Sequence, residues 1–355
     1  MRNVDFHKAP LLVIWEVTRS CALACQHCRA SAEDMRDPRE LTLEQGKKLI
    51  DDVAAMGTPI IIFTGGDPLQ RPDLEDLVRH AKGHDLIVGT IPAVTSRLTR
   101  ERIFSLRDAG VHQMAISIDG ENAEKHDAFR RVDGTFKMAM QAADWIHEAG
   151  VPLQVNTVFG SWNADDFDAL ADLVTKLDIV FWEVFFLVPT GRGSVLKSCT
   201  SRQFEDLFGK LQALSQTAKF VIKVTEGQHY RRFLAQHPLP TPSGGPAMSR
   251  GMLSSKPVNS GHGFCFVDHT GDVCPSGFLP LVCGNVKETS VIDVYRDHPV
   301  FKELRDFSLL KGKCGVCEFR NDCSGGSRAR AYGLTGDYLA SEPFCAYKPH
   351  SAAAE

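Results

Sequence analysis

The chain has 355 residues, more than one average domain and enough for a large α/β domain with an appended module. Its 40 Lys and Arg against 44 Asp and Glu leave a net charge of −4, too balanced to draw it onto nucleic acid or an anionic bilayer. An apolar fraction of 43% excludes wholesale disorder. The densest apolar run, 179–188, is broken by Glu183 and is too short to span a membrane. The opening MRNVDFHKAP is too polar for a signal peptide, so a cytoplasmic chain without a membrane span is expected.

From residue 11 to about residue 188 short apolar runs alternate with amphipathic stretches. Strands are predicted at 11–17, 59–63, 86–90, 114–118, 153–158 and 181–188. The intervening helices are predicted at 42–56 (Thr42 as N-cap, Gly57 beyond the end), 72–82, 99–109, 135–149 and 164–177. Six β-then-α units with short loops read as parallel strands with right-handed crossovers. Eight such units close a barrel, so six imply an α/β fold with a partial (β/α)6 TIM-type barrel, its site at the C-terminal strand ends. Periodicity alone leaves a flat doubly wound sheet open. One more helix is predicted at 201–216. Residues 237–263 are rich in Pro, Gly and Ser, and read as a linker or a substrate-covering lid. The expected division is therefore a barrel over 1–200, a bridging segment over 201–263 and a small cysteine-rich module over 264–355.

Eleven cysteines stand out. The odd total and a reducing compartment argue against disulfides, which makes metal or catalytic use the default. Cys21, Cys25 and Cys28 form C-x3-C-x2-C directly after the first predicted strand. Three thiolates on one loop hold three irons of a [4Fe–4S] cluster and leave the fourth iron without a protein ligand. A structural zinc completed by His27 is the alternative. After the second strand comes Thr64-Gly65-Gly66-Asp67-Pro68, where two glycines let the backbone approach a ligand and Asp67 offers a carboxylate. Ser117 and Asp119 end the fourth strand, Asn156 lies near the end of the fifth, and Thr190-Gly191-Arg192-Gly193 follows the sixth. Each alone reads as a turn or cap; together they put polar groups on one rim.

The thiol loop after strand one and the GGDP turn after strand two resemble the radical S-adenosylmethionine (radical SAM) superfamily over roughly residues 8–195. The resemblance implies that Cys21, Cys25 and Cys28 hold a [4Fe–4S] cluster whose open iron binds S-adenosylmethionine. One electron then splits the sulfonium, and the 5′-deoxyadenosyl radical abstracts a substrate hydrogen. Gly65, Gly66 and Asp67 match the family's GGE-type motif at the methionine amino group, with Asp67 a shorter reach than the usual Glu. By the same resemblance Ser117 and Asn156 contact the methionine carboxylate and ribose, and Arg130 pairs with that carboxylate. An external one-electron reductant of flavodoxin or ferredoxin type is implied.

Downstream, Cys314, Cys317 and Cys323 form C-x2-C-x5-C, followed by Cys345. A zinc ribbon is the plain alternative, but behind a radical SAM barrel this run resembles the SPASM extension. That resemblance implies an auxiliary [4Fe–4S] cluster held by all four thiolates, taking up or relaying electrons. The family's next cysteine is here Ser327, a departure that leaves Cys265, Cys274 and Cys283 either as three ligands of a second auxiliary cluster or as free thiols. Cys199 stands alone and reads as inert. WEVTRSCALACQHCRA and GGSRARAYGLTGDYLASEPFC resemble the radical SAM/SPASM enzymes that modify tetrapyrrole side chains in haem synthesis, which implies oxidative modification, such as decarboxylation, of a tetrapyrrole. Arg328 and Arg330 would then suit carboxylate recognition, unless they pair with Asp337 or Glu342. The alternative substrate is a peptide, crosslinked by a maturase, although the few residues before strand one are too few for a peptide-binding domain of winged-helix type. A third alternative is a non-catalytic electron carrier or zinc-held scaffold.

Overall fold

A computed structural model describes residues 4–239 and 256–350. Much of the expected lid or linker, residues 240–255, lies outside the described residues.

Each of the six expected strands forms: β1 (Leu12–Glu16), β2 (Ile60–Thr64), β3 (Ile87–Thr90), β4 (Gln113–Ser117), β5 (Leu153–Phe159) and β6 (Phe181–Phe186). Helices α1 (Leu43–Ala55), α2 (Leu74–Gly83) and α3 (Arg100–Ala109) follow the first three strands. Beyond β4 come α4 (Ala123–Arg130) and α5 (Thr135–Glu148), and beyond β5 comes α6 (Phe167–Lys176). Local chemistry sets the boundaries. Thr42 and Gln45 cap α1 reciprocally, and Gly110, at φ 115°, closes α3 in the left-handed region.

The sheet is larger than the six expected units. After α7 (Ser201–Ser215) comes β7 (Val221–Thr225), then α8 (Tyr230–Gln236). β8 (Phe264–Val267) returns to pair in parallel with β1, followed by the antiparallel β9 (Asp272–Cys274) and β10 (Gly284–Asn285). The strand order is β10-β9-β8-β1-β2-β3-β4-β5-β6-β7. A flat doubly wound sheet reverses its strand order at a switch point. Here β1 to β7 run in sequence order, so right-handed crossovers stack the helices on one face and the sheet curls around the other. The open barrel is thus settled against the flat sheet. β8 to β10 widen its edge, and Cys265, Val267 and Val273 share the main hydrophobic core rather than standing apart.

Strand alternation separates two layers. Val13 and Trp15 point to the helix layer with no exposure, packed with Leu49, Val53 and Leu77. Ile14, between them, faces the barrel interior and lines its cavity.

Candidate active site

The C-terminal strand ends surround a cavity of about 250 Å³, near the lower end of small-ligand sites, which span roughly 300–1,000 Å³. Its wall carries Cys21, Cys25 and Cys28 from the loop after β1, Gly65 and Gly66 after β2, Ser117 at the end of β4 with Asp119 beyond it, and Asn156 on β5. Arg130 of α4 and Arg192, beyond β6, also line it, as do Phe185, Phe266 and Phe278. Apart from Asp67, every residue assigned from the sequence to the first cluster and to S-adenosylmethionine therefore borders one space.

The thiol loop is held by its neighbours. Gly66 donates its N–H to the Thr18 carbonyl (2.8 Å) and Asp67 donates to that of Ser20 (2.7 Å). A Cβ at Gly65 would stand 2.5 Å from the Thr18 carbonyl oxygen, and one at Gly66 would stand 2.4 Å from that of Arg19. The first close approach these glycines permit is thus that of the chain's own cysteine loop. From the far side, Arg192 donates its backbone N–H to the Cys28 carbonyl (3.0 Å), Nε to that of Cys25 (3.0 Å) and Nη1 to that of Ala32 (2.9 Å). Gly191, at φ 54°, is required there, because a Cβ would meet the Arg29 carbonyl at 2.3 Å.

Asp67 departs from expectation. Its carboxylate is fully buried and does not line the cavity. Oδ1 accepts from the Leu69 (3.1 Å) and Ala93 (3.3 Å) amides, and Oδ2 accepts from the Thr95 hydroxyl (2.8 Å). It caps its own turn and ties β2 to the loop after β3. Burial pushes its pKa up against these hydrogen bonds.

Arg130 is no solvated helix charge. It is buried, ion-pairs with Asp119, and sets Nη1 3.5 Å from Cys25 Sγ. Burial would raise the Asp119 carboxyl, but Arg130, helped by His27 and His126, holds it below the usual carboxylate range. Asn156 accepts from Gln154 (2.7 Å) through Oδ1. His27 lies flat on Phe129 (4.7 Å, 4°), and Phe129 in turn stacks on Trp162. Burial and Arg130 bring the His27 pKa down to about 4, so the ring is neutral. Cys21 is pushed up to about 12 by burial; its proton leaves only when a cation takes its place.

The second set converges too. Cys314, Cys317, Cys323 and Cys345 line one small pocket together with His229, Arg232 and Lys313. Arg328 and Arg330, expected to read a substrate carboxylate, are buried and committed elsewhere. Arg330 pairs with Glu342 (3.1 Å) and donates to the Leu187 carbonyl (3.2 Å) at the end of β6. Arg328 donates to the carbonyls of Tyr338 (2.9 Å) and Ala340 (2.7 Å), while Asp337 pairs with Lys311 (2.6 Å). Ser327 caps the helix Arg328–Thr335 and donates to buried Glu226. Arg330 braces the module against the barrel, and Arg328 ties the module's own loops together.

Cys265 pairs in register with Val13, whereas its neighbour Phe266 pairs with Cys274. Alternation therefore turns the fully buried Cys265 to the face opposite Cys274. The Cys283 thiol donates to the Leu281 carbonyl (3.3 Å). Cys199 is buried, and burial pushes its pKa up to about 12, as suits an inert thiol.

Among the described residues, Asp51, His80 and His84 are the group of three whose ligand atoms all come within 4.8 Å of one another; no three thiols do. Zinc at a Zn–S distance of about 2.3 Å would draw its sulfurs to about 3.8 Å. No three thiols of either set stand that close, so neither is arranged as a preformed zinc site.

An open parallel barrel with three thiols on its first strand-end loop, facing polar groups from several other strand ends, is built for a cluster that meets a small cosubstrate. The radical SAM superfamily pattern matches residues 15–174. The AdoMet-dependent heme synthase of Oleidesulfovibrio alaskensis is 41% identical over 354 residues, covering 97% of this chain and 89% of the relative. That of Methanosarcina barkeri is 38% identical over 348 residues, covering 96% and 97%. The crystal structure of Streptococcus suis SuiB bound to precursor peptide SuiA shares the fold, with a TM-score of 0.75 at 16% identity over 96% of this chain and 76% of that one. The chain belongs to the radical SAM superfamily. It is an enzyme that uses a [4Fe–4S] cluster and S-adenosylmethionine, and no helix among the described residues is long and apolar enough to cross a membrane.

Proposed function

We propose that this enzyme oxidatively modifies a tetrapyrrole side chain, converting a propionate to a vinyl group with release of CO2. Cys21, Cys25 and Cys28 hold the cluster that meets S-adenosylmethionine. Cys314, Cys317, Cys323 and Cys345 hold an auxiliary one. The pair of bound cofactors at the barrel end supplies a 5′-deoxyadenosyl radical that removes one hydrogen atom from the substrate. The remaining steps belong to this chain's own groups.

The backbone at Gly65 and Gly66, with Ser117 and Asn156, orients the cosubstrate from the strand ends. Arg130 presents a guanidinium edge beside Cys25 and takes the methionine carboxylate. The aromatic wall of Phe185, Phe266 and Phe278 offers a planar apolar macrocycle a face to lie on. Loss of CO2 after hydrogen abstraction leaves one electron to be removed, and the cluster that Cys314, Cys317, Cys323 and Cys345 would hold is placed to accept it. An external one-electron donor of flavodoxin or ferredoxin type recharges the first site, and the enzyme works in the cytoplasm.

The observation that carries the substrate class is end-to-end likeness near 40% identity to proteins named AdoMet-dependent heme synthases. The test is anaerobic turnover with dithionite and S-adenosylmethionine, supplied with iron-coproporphyrin in one arm and candidate peptides in the other. Vinyl products in step with 5′-deoxyadenosine support the proposal. Crosslinked peptide with an untouched tetrapyrrole would make the enzyme a peptide maturase instead.

A further inference from the structure

His229 stands in the loop before α8, where its backbone carbonyl accepts from Phe233 (3.1 Å). The residue is 1% exposed, and its ring is flanked by those of Phe204 (4.8 Å) and Phe208 (4.9 Å). Neither Nδ1 nor Nε2 has a hydrogen-bond partner among the described residues. Burial drives its pKa down to about 3 despite Glu342, with Arg330 and Arg232 assisting, so at neutral pH the ring carries one N–H donor and one lone pair. A donor buried without an acceptor costs more than a made hydrogen bond returns, and natural proteins rarely leave one. The two phenyl neighbours offer no acceptor. The ring does line the pocket on which Cys314, Cys317, Cys323 and Cys345 converge.

Apart from Arg232 Nε, the guanidinium and ammonium donors on that wall are engaged. Arg232 binds Glu205 and Gln236 and reaches Cys345 Sγ at 3.8 Å, and Lys313 donates to the Cys345 carbonyl. The N–H of His229 is uncommitted.

We propose that His229 donates its ring N–H to a sulfur of the iron–sulfur cluster held by these four cysteines and thereby raises that cluster's reduction potential. This rests on the reading that the four thiols hold a cluster. Hydrogen bonds to cluster sulfurs draw off negative charge and favour the reduced state. That is the direction an electron acceptor needs. His229 is a positioning residue: it touches neither substrate nor the reacting carbon.

The test is an EPR-monitored redox titration of the reconstituted, full-length enzyme. His229→Phe should raise the oxidised-to-reduced ratio of this cluster about tenfold at fixed potential, about 59 mV for a one-electron couple. His229→Gln, which keeps an N–H, should recover most of that shift. An unchanged midpoint in His229→Phe at full iron content overturns the proposal. If His229→Phe does not fold, Cys25→Ala protein carrying only this cluster and labelled with [15N]histidine decides. A weak nitrogen coupling with an exchangeable proton supports the donor role. No nitrogen coupling, or the strong coupling of a directly bound imidazole, overturns it. Failure of the underlying reading shows separately, as a Cys317→Ala enzyme that keeps all its iron.

Discussion

The two thiol sets use the same element in opposite ways. Cys21, Cys25 and Cys28 offer three sulfurs on one loop at the mouth of a cavity of about 250 Å³, so a cube of four irons held there, as proposed, would keep one corner for another molecule. Cys314, Cys317, Cys323 and Cys345 offer four sulfurs around a small pocket, and the same cube held there would have none to spare. Their supports differ accordingly. The first loop is gripped through its backbone, by Arg192 on one side and the Gly65–Gly66 turn on the other. The second is braced by a fully buried Arg330–Glu342 pair, with the Glu342 amide aimed at Cys314 Sγ (3.4 Å). Chemistry needs the open set, and electron storage suits the closed one.

The sharpest break of this comparison is at Cys25. Cys25→Ala should abolish 5′-deoxyadenosine formation and remove about four of roughly eight irons, as iron analysis and chromatography would show. Cys317→Ala should also lose about four irons, yet continue to cleave S-adenosylmethionine while product formation stops. A Cys317→Ala enzyme with normal product yield would make the second set structural. An iron content near twelve in the wild type would instead admit a further cluster at Cys265, Cys274 and Cys283.

Next in size are the buried ion pairs, one beside each set. Asp119→Ala or Glu342→Ala strands a buried guanidinium, at a cost of about 3–5 kcal/mol. Denaturant unfolding should register both. Iron loss should fall on the barrel set for Asp119→Ala and on the module set for Glu342→Ala. Equal loss from both sets in either variant would show that the two regions are not supported independently.

The smallest effect is a pH dependence. Burial lowers the pKa values of His126 and His262 from the ordinary 6.5 to about 4. Between those values the unfolded chain binds the protons that the folded one refuses. Their contribution is therefore fully present above pH 6.5 and is lost as the pH falls toward 4. Each should cost about 2 kcal/mol between pH 6.5 and 5, and His126→Gln or His262→Gln should flatten that slope in denaturant titrations.

Much of this was legible in the chain itself. The cysteine spacings and strand-end residues are local patterns, and the strands and helices around them repeat a local period, so 11–188 could be read unit by unit. What escaped depends on contacts distant in sequence. β8 pairs with β1 across about 250 residues, and no periodicity announces such a partner. Arg192 reaches back to Cys25 and Ala32 from a stretch that looks like an ordinary turn. The GGDP motif gave no sign of how its carboxylate is engaged, because only the fold shows Thr95 and the Ala93 amide arriving to occupy Asp67. For Arg328 and Arg330 the chain left a substrate carboxylate and a pairing with Asp337 or Glu342 both open, and the fold gives Arg330 to Glu342. A guanidinium fork suits any carboxylate or carbonyl, and Glu342, Tyr338 and Ala340 are already there.

The open corner is the centre of the account, and EPR of the dithionite-reduced Cys317→Ala enzyme, which retains only the barrel cluster, tests it most directly. Adding S-adenosylmethionine should shift the g-values of that signal as the sulfonium's amino acid end binds the free iron. A spectrum that S-adenosylmethionine leaves unchanged would contradict it.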